Sequence, residues 1–486
     1  MKEWTREARY RVLQGPEDIR ALYERTQESP YRQLWHVQPI TGLSSDPNGF
    51  ALYEGTWHLC YQWCPWGAVH GLKYWYHVTS ADLVHWHNAG IGLAPDRDYD
   101  NRGAHSGSAI PVDGKLAWFY TGNHRDEDWT RTPYTCAALM GADGRPRKLD
   151  APLFGPRDDH SEHQRDPKIV WNAEKGRYYI FIGAQTLDQR GCVLIYESEA
   201  PLQGWRFAGE LKVPGYEAFG GMWECPCISR VGDRDVLVFS PQYTKLPGRG
   251  ESTNHNVYLI GRMDYDTLTF TPDGPYRHLD YGFDFYAAQC AANIGDTDRA
   301  VLIAWVGLPD NHYPTADEDA DWEGSLSLPR ELRVADGKLV QTPLPALEAL
   351  REAELAPDGT LPPSCELEIT PPAGDFDVNL FTRADGSGGL RLRYDAARKA
   401  CRVDRSGMDR RFNAQVGEVL EMPLEPGTAL RVFIDRNTTE IFAADGSATF
   451  TTHTYPTGRE FHYAVSAGVD VKGWTLKKAV TDEFIV

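Results

Sequence analysis

Residues 49–63 read GFALYEGTWHLCYQW. Two short apolar and aromatic runs flank Glu54-Gly55, and a residue–Gly pair in that position predicts a tight hairpin, because glycine takes the positive φ the turn needs. The pattern recurs downstream. KLAWFYTG follows Asp113-Gly114 and RYYIFIGA follows Lys175-Gly176; CVLIYES, DVLVFSP, NVYLIGR and AVLIAWVG come after them. No crossover helix separates these runs, so the sheets they form are antiparallel. Residues 33–337 hold too many such strands for one sandwich, and a β-propeller of several four-stranded blades is expected. No strict WD-type repeat is present, so the pattern alone does not set the number of blades.

On the N-terminal side, PEDIRALYERTQE (16–28) carries Ile19, Leu22 and Tyr23 at helical spacing, and a short helix is expected between Pro16 and Ser29-Pro30. On the other side, 338–363 shows a short helical pattern and then a proline-rich stretch, and reads as a linker. CELEIT, FDVNLFTR, LRLRYDA, LRVFIDR and TEIFAAD follow with cleaner period-2 alternation, as in sheets with one solvated face. The expected division is an N-terminal segment 1–32, a propeller 33–337, a linker 338–363 and a β-sandwich 364–486, an all-β chain.

The 486 residues carry a net charge of −19, which disfavours phosphate backbones and anionic membrane surfaces and leaves a small neutral or sugar-like molecule as the expected partner. No run of 18 apolar residues predicts a membrane span. The first twenty residues are charged throughout and lack the apolar centre of a signal peptide. The nine cysteines are scattered, which suits free thiols in a reducing compartment, and the cytoplasm is the expected location.

Three acidic positions stand out by their neighbours: Asp46 in SSDPNGF, Asp166 in QRDPKIV and Glu224 in GMWECPCI. Each lies at the edge of a predicted strand. A carboxylate packed against Trp223 and Cys225 is desolvated and held protonated, as a general acid must be. One in a Gly-Asn turn near backbone N–H groups stays ionised, as a nucleophile must. A pair of this kind facing a sugar is the equipment of a glycosidase, and strands converging on a funnel are a way to bring the pair together.

HVQPITGLSSDPNGFALYEGTWHLCYQW (36–63) resembles the N-terminal signature of glycoside hydrolase family 32, the invertase and fructan-hydrolase group. QRDP and WECP resemble that family's second and third acidic motifs, in order. HVTSADLVHW, HSGSAI, YGFDFYAAQ, WEGSLSLPREL and RVFIDRNTTEIFAADG are similar to its further motifs, so the likeness runs from about 33 to 480. The resemblance implies a five-bladed propeller followed by a C-terminal β-sandwich. It implies Asp46 as nucleophile, Glu224 as acid/base and Asp166 as the residue that binds fructose hydroxyls and stabilises the transition state, with Arg165 beside it. Gln62, Ser106 and Trp305 are implied around the sugar. Trp66, His70 and Lys73 are candidates for the leaving-group side. The form VHGLKYW resembles the intracellular sucrose or sucrose-6-phosphate hydrolase branch, and Lys73, His70 or an arginine of 96–103 is then a candidate to meet a phosphate.

The expected activity is retaining β-fructofuranosidase hydrolysis of sucrose, sucrose-6-phosphate or short fructo-oligosaccharides, with no metal and no cofactor. A fructan exo-hydrolase, a fructosyltransferase and a non-catalytic carbohydrate-binding propeller are the alternatives. Oligomeric state stays open, a homodimer included. The family has Asn directly before the nucleophile; this chain has Ser45. His85 and His87, two residues apart in HWH and on one face of a strand, and the CPC at 225–227 lack the partners of a metal site.

Overall fold

The computed structural model describes residues 3–309, 311–412, 415–458 and 460–486. The 49–63 stretch forms the expected hairpin: Gly42–Tyr53 pairs antiparallel with Thr56–Cys64, and Glu54 and Gly55 turn at φ 48° and 76°. Asp113-Gly114 repeats this geometry at φ 47° and 71°.

Five sheets follow one another along the chain, each built outward from its first strand. These first strands are Gly42–Tyr53, Ala104–Val112, His160–Asn172, Met222–Val231 and Tyr286–Cys290. Each first strand touches the next, and the fifth touches the first. Trp322–Glu323 then pairs parallel with Gly42–Leu43, so a late segment becomes an edge of the first sheet. The strands are near-continuously buried, as in Arg177–Thr186 and Ala300–Val306, because both faces of each sheet pack on neighbouring sheets.

The C-terminal part is two six-stranded antiparallel sheets packed face to face. Their alternating inward residues, among them Leu367, Val378, Leu392, Val403 and Val432, share one core that extends to Phe283, Tyr286 and Trp305 of the N-terminal part. A buried ionic network also joins the two parts. Arg330 bonds Asp280 (2.9 Å) and Glu440 (2.7 Å), and His36 bonds Asp435 (3.0 Å) and Glu440 (3.1 Å).

The stretch 338–363, read as a linker, carries regular structure instead. Lys338–Pro343 is the outer strand of the fifth sheet, Pro345–Leu350 is a 3-10 turn, and Arg351–Glu354 and Thr360–Leu361 join the two C-terminal sheets. Its prolines fall at the breaks between these elements, which made it look like tether. The N-terminal segment forms the expected short helix: a 3-10 turn at Pro16–Asp18 leads through the buried Ile19 into a helix, Arg20–Gln27, that buries Leu22.

Candidate active site

The first strands all break their ladder register near the same end, and the acidic motifs sit in these breaks. The shifts fall between Ser44 and Pro47, His105 and Gly107, Arg165 and Lys168, Glu224 and Cys227, and Tyr286 and Gln289. Proline explains three of them: Pro47, Pro167 and Pro226 have no N–H to give to the ladder. Asp166 and Cys225 take up left-handed backbone at φ 66° and 48°, which re-aims the side chains of the bulge. Asn48 ties the first bulge down. Its carboxamide donates to the Asp46 carbonyl (2.7 Å) and accepts from Gly107 N–H of the second sheet (2.8 Å).

Asp46, Asp166 and Glu224, separated by 178 positions of sequence at their extremes, are thereby brought into one basin where Asp46 feels the charge of Glu224 and Asp166 feels the charges of both. Asp46 is half-buried. Its Oδ2 accepts from Ser106 Oγ (2.5 Å) and Gln62 Nε2 (3.0 Å), with Cys225 Sγ at 3.8 Å. Among the described residues nothing bonds Oδ1, so one oxygen is held and the other is free. Burial raises the Asp46 pKa and Glu224 adds to this, while Lys73 and the Ser106 hydroxyl pull it down.

Asp166 is 3% exposed. Its Oδ2 accepts from Cys225 N–H (3.0 Å), and its own N–H donates to Thr121 Oγ1 (2.9 Å). Burial, with the charges of Glu224 and Asp46, pushes it up to about 7 against the pull of Arg165. Glu224 sits between two donors. Arg165 gives its Nε (3.0 Å) and Nη2 (2.5 Å) to Oε1, and Tyr286 gives its hydroxyl to Oε2 (2.6 Å). Trp223 does not cover Glu224 as the sequence suggests: it stacks on Phe239 at 4.2 Å, on the opposite face of the strand.

Gln62, Ser106 and Arg165 therefore join the carboxylates directly. Trp305, 2% exposed, joins through Tyr286, whose ring lies edge-on to it at 6.3 Å. Trp66 does not join. Its indole N–H donates to the Arg11 carbonyl (2.7 Å) and the Arg11 guanidinium covers its ring at 3.6 Å. Ser45 gains a definite role: its hydroxyl accepts from Lys73 Nζ (3.1 Å), and Lys73 also contacts His70 Nδ1 (3.1 Å). Burial and the Lys73 charge push His70 down to about 3, so the imidazole is neutral and accepts from the ammonium. The sequence reading named Cys225 only as a neighbour that desolvates Glu224 and Tyr286 only within the YGFDFYAAQ motif, and gave neither a role at the site; both stand at the same bulge level as the acids, a signal visible only once the strands are aligned. A separate cavity of about 470 Å³ lies around the other ends of the second, third and fourth first strands, lined by Ile110, Lys168, Trp171 and Ile228, and holds none of the acids.

Residues 36–343 match the Glycosyl hydrolases family 32 N-terminal domain, and residues 341–479 match that family's C-terminal domain. The chain is 36% identical over 458 residues to a sucrose-6-phosphate hydrolase of Vibrio alginolyticus, covering 92% of each. It is likewise 36% identical over 488 residues to one of Pediococcus pentosaceus, covering 97% of this chain and 94% of the other. The solved sucrose-6-phosphate hydrolase of Lactobacillus gasseri superposes with a TM-score of 0.91 at 35% identity, covering 98% of this chain and all of that one. A GH32 β-fructofuranosidase of Bombyx mori, also solved as a variant in complex with sucrose, superposes at 0.81 with 28% identity, over 96% of this chain and all of that one.

Proposed function

This chain belongs to glycosyl hydrolase family 32, and we propose that it is a retaining β-fructofuranosidase acting on sucrose or sucrose-6-phosphate through a fructosyl-enzyme ester. The observation that carries the reading is the convergence of three carboxylates in one basin, with Asp46 anchored by one oxygen and free at the other. Asp46 Oδ1 attacks the anomeric carbon of fructose while Glu224 protonates the departing glycosidic oxygen. Glu224 then takes a proton from water, the water oxygen attacks the same carbon, and the ester bond breaks to return Asp46 as carboxylate. Asp166 hydrogen-bonds fructose hydroxyls and faces the positive charge that develops on the ring. Arg165 and Tyr286 fix Glu224; Gln62 and Ser106 fix Asp46; Trp305 backs Tyr286.

The same reading takes the five sheets as five blades, supported by the fifth first strand lying on the first and by Trp322–Glu323 joining sheet one. The propeller then ends with Pro343, and the sandwich begins at Arg351. Nine free, buried cysteines support a reducing, cytoplasmic location. The fructan exo-hydrolase alternative has weaker support, since those relatives share the fold at 22–23% identity. The binding-only alternative leaves the convergence of three acids without a purpose. The test is turnover of sucrose and sucrose-6-phosphate by the parent, Asp46→Asn and Glu224→Ala. Loss of several orders of magnitude with the fold intact is expected; a variant within tenfold of the parent overturns the assignment.

A further inference from the structure

Arg102, Arg125 and Arg131 form a basic rim beside the acidic basin. Arg125 and Arg131 are cross-strand partners in the second sheet. Asn123 binds the rim together: its Oδ1 accepts from Arg131 Nε (2.7 Å), and its Nδ2 donates to the Arg102 carbonyl (3.0 Å). The rim adjoins the basin through a short connection. His105, which follows Arg102 by three residues, precedes Ser106, and Ser106 bonds Asp46. Arg131 also feels Arg165 and Asp166 directly.

Three features distinguish these arginines from ordinary surface charge. First, the chain carries −19 overall, yet among the described residues none of the three arginines forms an ion pair with a carboxylate. The acids whose charge reaches Arg131 are Glu162 and Asp166, and the adjoining Asp126, Glu127 and Asp128 are exposed. Second, the guanidinium groups are held with donors unspent. Arg102 and Arg125 lie over the Trp129 ring at 5.3 and 5.4 Å, and Arg125 Nη1 is fixed on the Trp129 carbonyl (2.7 Å). The Nε atoms of Arg102 and Arg125 are buried without a partner, and Arg131 Nη1 and Nη2 make no hydrogen bond among the described residues. Third, the charges oppose one another: burial, Arg165 and Arg125 together bring Arg131 down to about 10. Like charges gathered without a counter-ion are costly, and a dianion with three acceptor oxygens removes that cost through forked, charge-assisted bonds.

We propose that Arg102, Arg125 and Arg131 anchor the phosphate monoester of a phosphorylated leaving sugar, and so set the preference between a phosphorylated and a neutral disaccharide. This rests on the hydrolase reading above and on Arg131 lying close enough to Arg165 and Asp166 to feel their charge. The test uses the full chain and the variants Arg125→Gln and Arg131→Gln, with kcat/KM measured on sucrose and on sucrose-6-phosphate in the same preparation. The ratio of the two constants is independent of how much of a variant folds. The parent is expected to favour the phosphorylated substrate by at least tenfold, and each variant to lose at least tenfold of that ratio through KM. Glucose 6-phosphate is expected to inhibit the parent competitively and more tightly than glucose, with the difference lost in the variants. A parent with no preference, or variants that depress both substrates equally, overturns the anchor and leaves the hydrolase reading standing. Failure of the parent to release fructose from either substrate overturns the hydrolase reading itself.

Discussion

Replacing Asp166 by Asn removes one buried negative charge and keeps the side chain's shape. In the folded protein burial and the charges of Glu224 and Asp46 hold Asp166 at about 7, against 3.8 in an unperturbed side chain. The folded state therefore binds this proton more tightly than the unfolded state does. Below about pH 4 both states are protonated and nothing is lost. Between about 4 and 7 the unfolded state ionises first, and the parent loses stability as pH rises. Above 7 both are ionised and the loss is complete. Three pH units at ~1.4 kcal/mol each set a ceiling of about 4 kcal/mol, and sharing of the charge with Glu224 and Asp46 reduces it to ~1–3 kcal/mol. Asn does not titrate, and its amide oxygen still accepts from Cys225 N–H, which the carboxylate meets at 3.0 Å. Asp166→Asn is therefore expected to be inactive, close to the parent in stability at pH 4, and more stable than the parent at pH 8. Urea unfolding of both proteins from pH 4 to 8 measures this. A midpoint difference that does not change with pH, or a variant less stable at pH 8, refutes the assignment of stored electrostatic strain to this acid.

Lys73→Met removes the strongest charge that opposes the burial of Asp46, so the Asp46 pKa rises and, on the proposed mechanism, the acid limb of kcat/KM on sucrose moves to higher pH; an unmoved acid limb counts against the role given to Lys73 and Ser45. Ser106→Ala deletes a bond to a charged oxygen worth ~1.5–3 kcal/mol, and a fall of roughly ten- to hundred-fold in kcat/KM is expected with the circular dichroism unchanged; a rate within twofold of the parent reduces Ser106 to a bulge residue. Arg330→Met leaves the buried Asp280 without its ion-pair partner and Glu440 with His36 alone, and is expected to cost about 3–5 kcal/mol; a thermal midpoint within a degree of the parent sinks the claim that this network joins the two parts of the fold.

Hairpins such as 49–63 were legible because their information is local: apolar alternation and a residue–Gly turn lie within fifteen residues. The same holds for the helix after Pro16, whose apolar spacing fixes which face is buried. The acids were legible as types and contexts, through motifs that resemble a known family. The 338–363 stretch was misread because its strands are short and its partners distant: Lys338–Pro343 pairs with Arg330–Ala335, but Arg351 pairs with Leu476. Proline there punctuates structure rather than replacing it. The surroundings of Trp66 were hidden for a related reason, since its cover, Arg11, comes from the N-terminal segment and no local pattern announces it.

What no local pattern carries is the level at which the strands align. Asp46, Ser106, Asp166, Glu224 and Tyr286 meet because five bulges fall at one height of five neighbouring strands, and height is a property of packing between sheets. Gly183 shows how tight that constraint is: a Cβ there would come within 2.1 Å of the Trp223 carbonyl, so the third and fourth sheets touch backbone to backbone beside Glu224. The prolines of Asp-Pro-Asn, Asp-Pro-Lys and Cys-Pro-Cys then read as one device used three times. Each removes a ladder donor one or two residues after an acid, and so frees that acid from the regular pleat to face its counterparts. The Ser45 departure fits the same logic. The position before Asp46 holds a partner against the bulge, and that partner is the Lys73 ammonium, which supplies charge to Asp46 where an amide would supply only a dipole.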